Sequence, residues 1–378
     1  MHSTIQKLRA DLVGQFPERK EVIDGALCAV LASEHVLLFG PPGTGKSALV
    51  RAIAQAIGGV YFERLLTRFS TPEELFGPVS LKALEQDRFA RITTGKLPEA
   101  QIAFIDEVFK SNSAILNSLL TLMNERTFSN DGAPTRCPLI SMFGASNELP
   151  DGPELTAVLD RFLLRYDVNY LVSETSFRAV IGSGEPAVMT SISMADLTAA
   201  QADVAKIKIG DATVDALVEV RGACRAEGIV ASDRRWKRSL KIVQAAAYLA
   251  GEKQTCPEDL AILTDALWRE PKERVKIARL IGKLADPVGT QAQEILDSAR
   301  EAAAKTTALK TGDRKSYIAA AASAVEAFDQ QQRKLADLAK SAGRRGKAVI
   351  ADATTEIQAL HAEMARTVST GLGLRALR

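Results

Sequence analysis

The sequence predicts an α/β protein whose core is a parallel five-stranded sheet, followed by helical segments. Three observations carry that prediction. Short apolar runs alternate with helical stretches over the first 171 residues; the first run leads straight into a glycine-rich turn and a helix; and after Leu171 no further strand-like run occurs. Strands alternating with helices argue for a sheet covered on both faces.

In chain order, Ile5 to Phe16 and Glu21 to Ala32 read as two helices linked through Pro17. The strand-length runs are His35–Phe39, Val60–Leu66, Ile102–Ile105, Leu139–Ala145 and Phe162–Val168, with helices at Ser47–Ile57 and Ser113–Asn124 between them. Asn130-Asp131-Gly132 supplies the turn chemistry of a β-hairpin. From 172 to 270 come five successive helical stretches separated by Gly, Pro or capping residues, a small all-α domain. From 271 to 378 the chain is Ala-rich, with Ile318, Ala321, Val325, Phe328, Leu335 and Ala339 at spacings of three and four. Ile350, Ala353, Ile357, Leu360 and Met364 repeat the pattern after "SAGRRGKA", as in an antiparallel helical hairpin or coiled-coil arm. So much of this stripe is alanine that each helix needs a partner surface, from the same chain or a neighbouring subunit.

Composition narrows the class. The 378 residues are 46% hydrophobic and 25% charged, with a net charge of +2, too small to imply a nucleic-acid or membrane partner. The charge is uneven: from Pro271 onward 19 basic residues face 12 acidic ones, against 29 and 34 before it. That basic tail suits self-association as well as it suits a solvated helical surface. Four dispersed cysteines form no CxxC pair and read as reduced thiols of a cytoplasmic protein, and three scattered histidines are too few for a metal site. No apolar run approaches signal-peptide or membrane-spanning character.

"GPPGTGKS" (Gly40, Pro41, Pro42, Gly43, Thr44, Gly45, Lys46, Ser47) matches GxxxxGK[ST] between a strand and a helix, the context that pattern requires. Gly43 and Gly45 let backbone N–H groups converge on phosphate oxygens, and the helix beginning near Lys46, with Ala48 in its first turn, aims its positive end at the same anion. Lys46 suits the β- and γ-phosphates of ATP, and the Ser47 hydroxyl suits Mg²⁺. "QIAFIDE" then ends a strand on two adjacent acids. Successive strand side chains point to opposite faces, so Asp106 can face Mg²⁺ while Glu107 polarises the attacking water. Asn147, in "GASNE" at the tip of the next strand, can hold that water or touch the γ-phosphate; as a bare turn residue it would do neither.

Together "LLFGPPGTGKS", "FIDEVFKSNSAILNSLLTLMNER", "GASNELP" and "LDRFLLR" resemble the AAA+ ATPases and, within them, the MoxR family, over about Ile5 to Arg269. "TTGKLPEA" is similar to the helix-2 insert segment of that clade, and "SDRRWKRSLKIVQAAAYLAG" to the lid of the RavA-like branch. The resemblance implies Asp106 and Glu107 as the Walker B pair, Asn147 as first sensor, and Arg161 as the arginine that reaches a neighbouring subunit's nucleotide. It implies Arg234 as second sensor, with Arg235 its close competitor. It further implies a homo-oligomeric, hexameric ring and a chaperone-like remodeller of partner proteins, typically one with a von Willebrand factor A domain. RavA carries a β-rich insert where this chain has Ala-rich helices. A DNA-dependent motor and a nucleotide-switched assembly scaffold are the alternatives; the first lacks a basic, aromatic-interleaved patch.

Overall fold

The computed structural model describes residues 2–148, 150, 152–182, 189–311 and 314–371. In chain order the elements are α1 (His2–Gln15), α2 (Lys20–Ala32), β1 (Val36–Phe39), α3 (Lys46–Ile57), β2 (Tyr61–Leu65), α4 (Pro72–Phe76), α5 (Leu81–Leu84), β3 (Ile102–Asp106), α6 (Ser113–Glu125), β4 (Thr127–Asn130), β5 (Ala133–Arg136), β6 (Ser141–Ser146), α7 (Pro153–Leu159) and β7 (Leu164–Asp167). Helices follow: α8 (Glu174–Gly182), α9 (Met194–Lys206), α10 (Asp211–Ala226), α11 (Asp233–Leu249), α12 (Thr264–Leu267), α13 (Pro271–Ala285), α14 (Pro287–Ala308), α15 (Arg314–Ala339) and α16 (Arg344–Gly371). The helix read at 175–184 runs past Gly182 into residues outside those described. "CPEDLAIL", read as α-helix, is mostly 3₁₀ over Pro257–Leu263, led in by Cys256 and closed by the Asp259 carboxylate on the Cys256 N–H.

Five strands form one sheet in the order β2-β3-β6-β1-β7, every neighbouring pair parallel. β1 pairs Phe39 with Ser146 on one side and Asp167 on the other, and β3 pairs Asp106 with Leu65. The carboxyl ends of β1, β3 and β6 therefore share one edge, which is where ligands bind in open parallel sheets. The central strands are buried on both faces, as their near-continuous apolar runs require. Leu37, Ile105, Met142 and Phe162 join the α6 residues Ile115, Leu119 and Leu122 in one apolar cluster beneath that edge. β4 and β5 make the separate hairpin, its turn residues Asp131 (φ 55°) and Gly132 (φ 75°) both left-handed, as a two-residue primed turn demands.

β1 begins at a buried histidine. His35 Nδ1 accepts the Met142 N–H at 2.9 Å, so Nε2 carries the proton and donates to Met123 O at 3.1 Å. Burial, and then the field of Arg126, hold its pKa well below the usual imidazole range.

Contacts divide the chain into two compact units, Met1–Val214 with Arg225–Ile277, and Asp215–Cys224 with Ala278–Arg378. In the first, α11 of the helical segment is fastened to the sheet by buried arginines. Arg235, 4% exposed, donates to Ala266 O (2.6 Å), Phe162 O (2.8 Å) and Leu163 O (3.2 Å), while Arg238 pairs with the buried Glu34. In the second, α15 and α16 form the antiparallel pair that their stripes predict, and α14 completes a three-helix bundle. Ala292, Leu296 and Ala299 of α14 pack into the same cluster as Phe328, Leu335, Ile357 and Met364. The partner surface that the alanine stripes need thus comes from the same chain. Among the described residues no helix is long and apolar enough to cross a membrane.

Candidate functional site

The phosphate loop is held by its backbone. Gly40 has φ 137°, and a Cβ there would lie 2.4 Å from Val168 O, so only glycine lets β1 turn beside the end of β7. Gly43 (φ 80°) and Gly45 (φ 84°) are left-handed as well, and a Cβ on either would meet open space, so at these two positions backbone conformation alone calls for glycine. α3 starts at Lys46 with no side-chain cap, which leaves its first N–H groups for a ligand.

Lys46 Nζ is folded onto the loop's own carbonyls, Gly40 O at 2.8 Å and Pro41 O at 2.7 Å, with Thr44 Oγ1 at 3.4 Å. Burial lowers its pKa, Asp106 and Glu107 raise it, and Arg19 lowers it. The strand order puts the loop after β1 and the acid tip of β3 at the same sheet edge, and the fields of both acids act on Lys46.

Strand alternation does not relate the two acids, because Glu107 lies outside the strand. β3 ends at Asp106, and Glu107 is itself left-handed (φ 52°), turning the chain into a 3₁₀ segment at Val108–Lys110. The Glu107 N–H donates to Asp106 Oδ1 at 3.0 Å. Glu107 Oε2 is buried without a hydrogen bond, 3.3 Å from the Lys110 ammonium in an ion pair lacking hydrogen-bond alignment. A left-handed non-glycine residue costs roughly 1–3 kcal/mol, a strain that clusters at functional positions. Asn147 is exposed just past the end of β6, and Ser47 is half-buried in the first turn of α3.

The donors fit Mg²⁺ and a nucleotide. A hydroxyl and a carboxylate oxygen are hard ligands, and among the described residues no group of three or more acids, histidines or cysteines could hold a metal by itself. Mg²⁺ takes one or two protein oxygens and leaves its other positions to phosphate and water.

A cavity of about 1250 Å³ opens from Gly43, Thr44, Gly45, Lys46 and Ala48 and runs between α1, α3 and α8. Phe16, Pro17, Tyr170, Phe177 and Met189 give it an apolar end, and Arg19 also lines it. Neither Phe16 nor Arg19 belongs to a local motif; both reach the site because α1 and the exit of β7 flank β1.

Arg161 and Arg234 do not line this cavity. Both lie at Asp160: Arg234 Nη2 is 2.9 Å and Arg161 Nη1 is 3.6 Å from its Oδ2, and Arg235 Nη1 is 3.6 Å from Oδ1. Arg161 is largely buried, with Nε unpartnered, and burial first and Arg234 second lower its pKa. Burial pushes Arg235 down to about 10. Its guanidinium is committed to backbone carbonyls, whereas the Arg234 side chain is 51% exposed; of the two, only Arg234 presents a head to solvent.

A parallel sheet in this strand order, with a glycine cradle on one strand and a paired acid tip on the next but one, defines a P-loop ATPase of the AAA+ class. The chain belongs to the MoxR family of that class. Residues 2–208 match the model described as the MoxR domain in the MoxR-vWA-beta-propeller ternary systems, and residues 212–281 match an AAA lid domain. An uncharacterized protein of Methanocaldococcus jannaschii is 44% identical over 299 residues, covering 78% of this chain and 80% of that one. The chaperone MoxR1 of Mycobacterium tuberculosis is 26% identical, covering 76% and 82%. A solved structure from Cytophaga hutchinsonii, provisionally assigned as an ATPase, shares the fold at TM-score 0.63 and 18% identity, over 75% of this chain and 95% of that one.

Proposed function

We propose that this chain hydrolyses ATP with Mg²⁺ and, as a cytoplasmic homo-oligomeric ring, uses the cycle to remodel partner proteins. The observation that carries the reading is that the phosphate loop after β1 and the Asp106–Glu107 tip of β3 share one sheet edge. Lys46 leaves the loop carbonyls for the β- and γ-phosphates, and the loop amides and the start of α3 hold the anion. Mg²⁺, held by Ser47 and Asp106, supplies charge neutralisation between the phosphates. Glu107 orients and polarises the attacking water, and Asn147 steadies it. Arg161 serves a neighbouring subunit's nucleotide, which ties turnover to assembly, and Arg234, which shares Asp160 with it, acts as the second sensor. A hexamer follows the family habit. The model's description names a vWA and a β-propeller component, and a partner with a von Willebrand factor A domain is the reading that follows. The RavA-like affiliation rests on the lid sequence around "SDRR".

Phosphate release by the purified chain tests this. Glu107→Gln should keep ATP binding while turnover falls about 10²–10⁴-fold, the usual contribution of a positioned base, and Lys46→Ala should lose binding. Arg161→Ala should bind but turn over slowly, and mixing it with Lys46→Ala subunits should restore part of the rate. Wild-type turnover by Glu107→Gln would sink the assignment of that acid. Stimulation by DNA, falling steeply with salt, would favour a nucleic-acid motor instead.

A further inference from the structure

We propose that Arg19, in the link between α1 and α2, binds the nucleotide's phosphate chain on the base side of Lys46, at the α-phosphate. The inference rests on the reading of the cavity as a nucleotide site, and adds a residue outside the phosphate loop and the acid pair.

The placement comes first. Arg19 is half-buried and lines the same cavity as Gly45 and Lys46. Its immediate surroundings belong to the apolar end: Pro17 lies two residues before it, and its Nη2 donates to Asn169 O, next to Tyr170. In the other direction its charge acts on Lys46, opposing Asp106 and Glu107. It thus stands where the apolar end gives way to the phosphate cradle.

Its partners come second. Nη1 donates to Glu18 O at 3.2 Å and Nη2 to Asn169 O; both acceptors are neutral carbonyls. The adjacent carboxylate is committed elsewhere, since Glu18 accepts the Val172 N–H at 2.9 Å and the Ser173 N–H at 2.8 Å. Of the other charged groups lining the cavity, Arg51 and Asp11 are matched, while Lys46 is held by its own loop's carbonyls. Arg51 forks onto Glu63 at 3.0 and 2.9 Å, and Asp11 takes the Thr190 N–H and hydroxyl at 2.9 and 2.6 Å. Arg19 is held in place by two carbonyl acceptors, and the field of Glu18 also acts on it.

The chemistry follows. A guanidinium has five donors in a planar fork, and two of them anchor this one. The remainder suit a phosphate oxygen pair, which is the geometry arginine recognises best. Arg19 and Lys46 are two cations lining one cavity, and a polyanion held by both offsets their repulsion. A merely structural arginine would need only its bonds to the two carbonyls, and a glutamine amide can replace one of these without the charge.

Competition against a fluorescent ADP on the full-length chain decides the matter, using ADP, AMP and adenosine, with melting temperature as the check on folding. Arg19→Gln should weaken ADP and AMP by about 10- to 100-fold, the scale of a charge-assisted hydrogen bond. Adenosine should stay within about twofold. Arg19→Lys, which keeps charge without the fork, should fall between, and serves alone if the glutamine variant unfolds: ADP affinity equal to wild type would then overturn the proposal. Unchanged ADP affinity in Arg19→Gln, or an equal loss for adenosine, would also overturn it while leaving the nucleotide site intact. A wild-type chain that binds no ADP at all would instead bring down the nucleotide reading, and this proposal with it.

Discussion

The sheet-bearing unit and the C-terminal bundle bury their surfaces in opposite ways. Beneath the sheet edge the apolar cluster is built from large side chains such as Phe62, Phe76, Leu119 and Phe162, and polar groups are buried in the same unit, the neutral His35 and the guanidinium groups of Arg165 and Arg235. In the bundle seven of the thirteen buried cluster residues are alanine, so its helices approach closely and its few large side chains, Phe328 above all, carry the packing. Buried polar groups accept few geometries, because each must find its partner; an alanine seam accepts any close helix approach. Positioning a site within fractions of an ångström therefore belongs to the first unit, and periodicity suffices for the second.

If that contrast holds, the units should fail differently. Arg235→Ala removes the donor to four backbone carbonyls, at Ala266, Asp160, Phe162 and Leu163, and should cost the sheet-bearing unit about 3–5 kcal/mol, as breaking a buried charged network does. Both tryptophans, Trp236 and Trp268, lie in that unit, so the denaturation midpoint followed by fluorescence should drop. Phe328→Ala should remove about 3–5 kcal/mol from the bundle. Far-UV circular dichroism should then show an earlier helix-loss step while the tryptophan midpoint stays put; a common shift in both signals would break the comparison.

The smallest effect is a slope with pH. His35 is neutral in the fold because its pKa is lowered there, whereas the unfolded chain takes up a proton below about pH 6.5. The unfolded state therefore binds more protons as pH falls, and stability declines by about 1.4 kcal/mol per pH unit below that value until the folded pKa is reached. His35→Gln should be less stable at pH 7.5 but should lose that part of the slope between pH 6.5 and 5, read from tryptophan fluorescence. An unchanged slope would mean the acid sensitivity of this unit arises elsewhere.

Much of the arrangement is legible before any coordinates. All five sheet strands fall on the predicted runs: β1, β2 and β7 lie within them, while β3 and β6 each run one residue further, to Asp106 and Ser146, because period and flanking turn residues are local signals that fix an end only to within a residue or two. Asn130-Asp131-Gly132 predicts the hairpin for the same reason, each residue's backbone preference being intrinsic. The pairing of α14 with α15 and α16 was harder to see: alanine spacing marks a face that will be covered and says nothing of which helix covers it. Strand alternation predicts that Asp106 and Glu107 diverge, but the strand ends at Asp106 and Glu107 is left-handed, a backbone state that glutamate does not advertise.

By itself, then, the sequence determined a phosphate cradle, a pair of acids and the strands that carry them, since each depends on spacings within one strand, loop and helix. Tertiary structure alone decided that α1 and the exit of β7, some 150 residues apart (Arg19 to Asn169), meet at the cavity. It also decided that Arg235 is buried in carbonyl bonds while Arg234 keeps an exposed head beside Asp160. Neighbours on one helix differ by only about 100° in direction, and which of them faces the protein depends on what packs there. No local spacing encodes that.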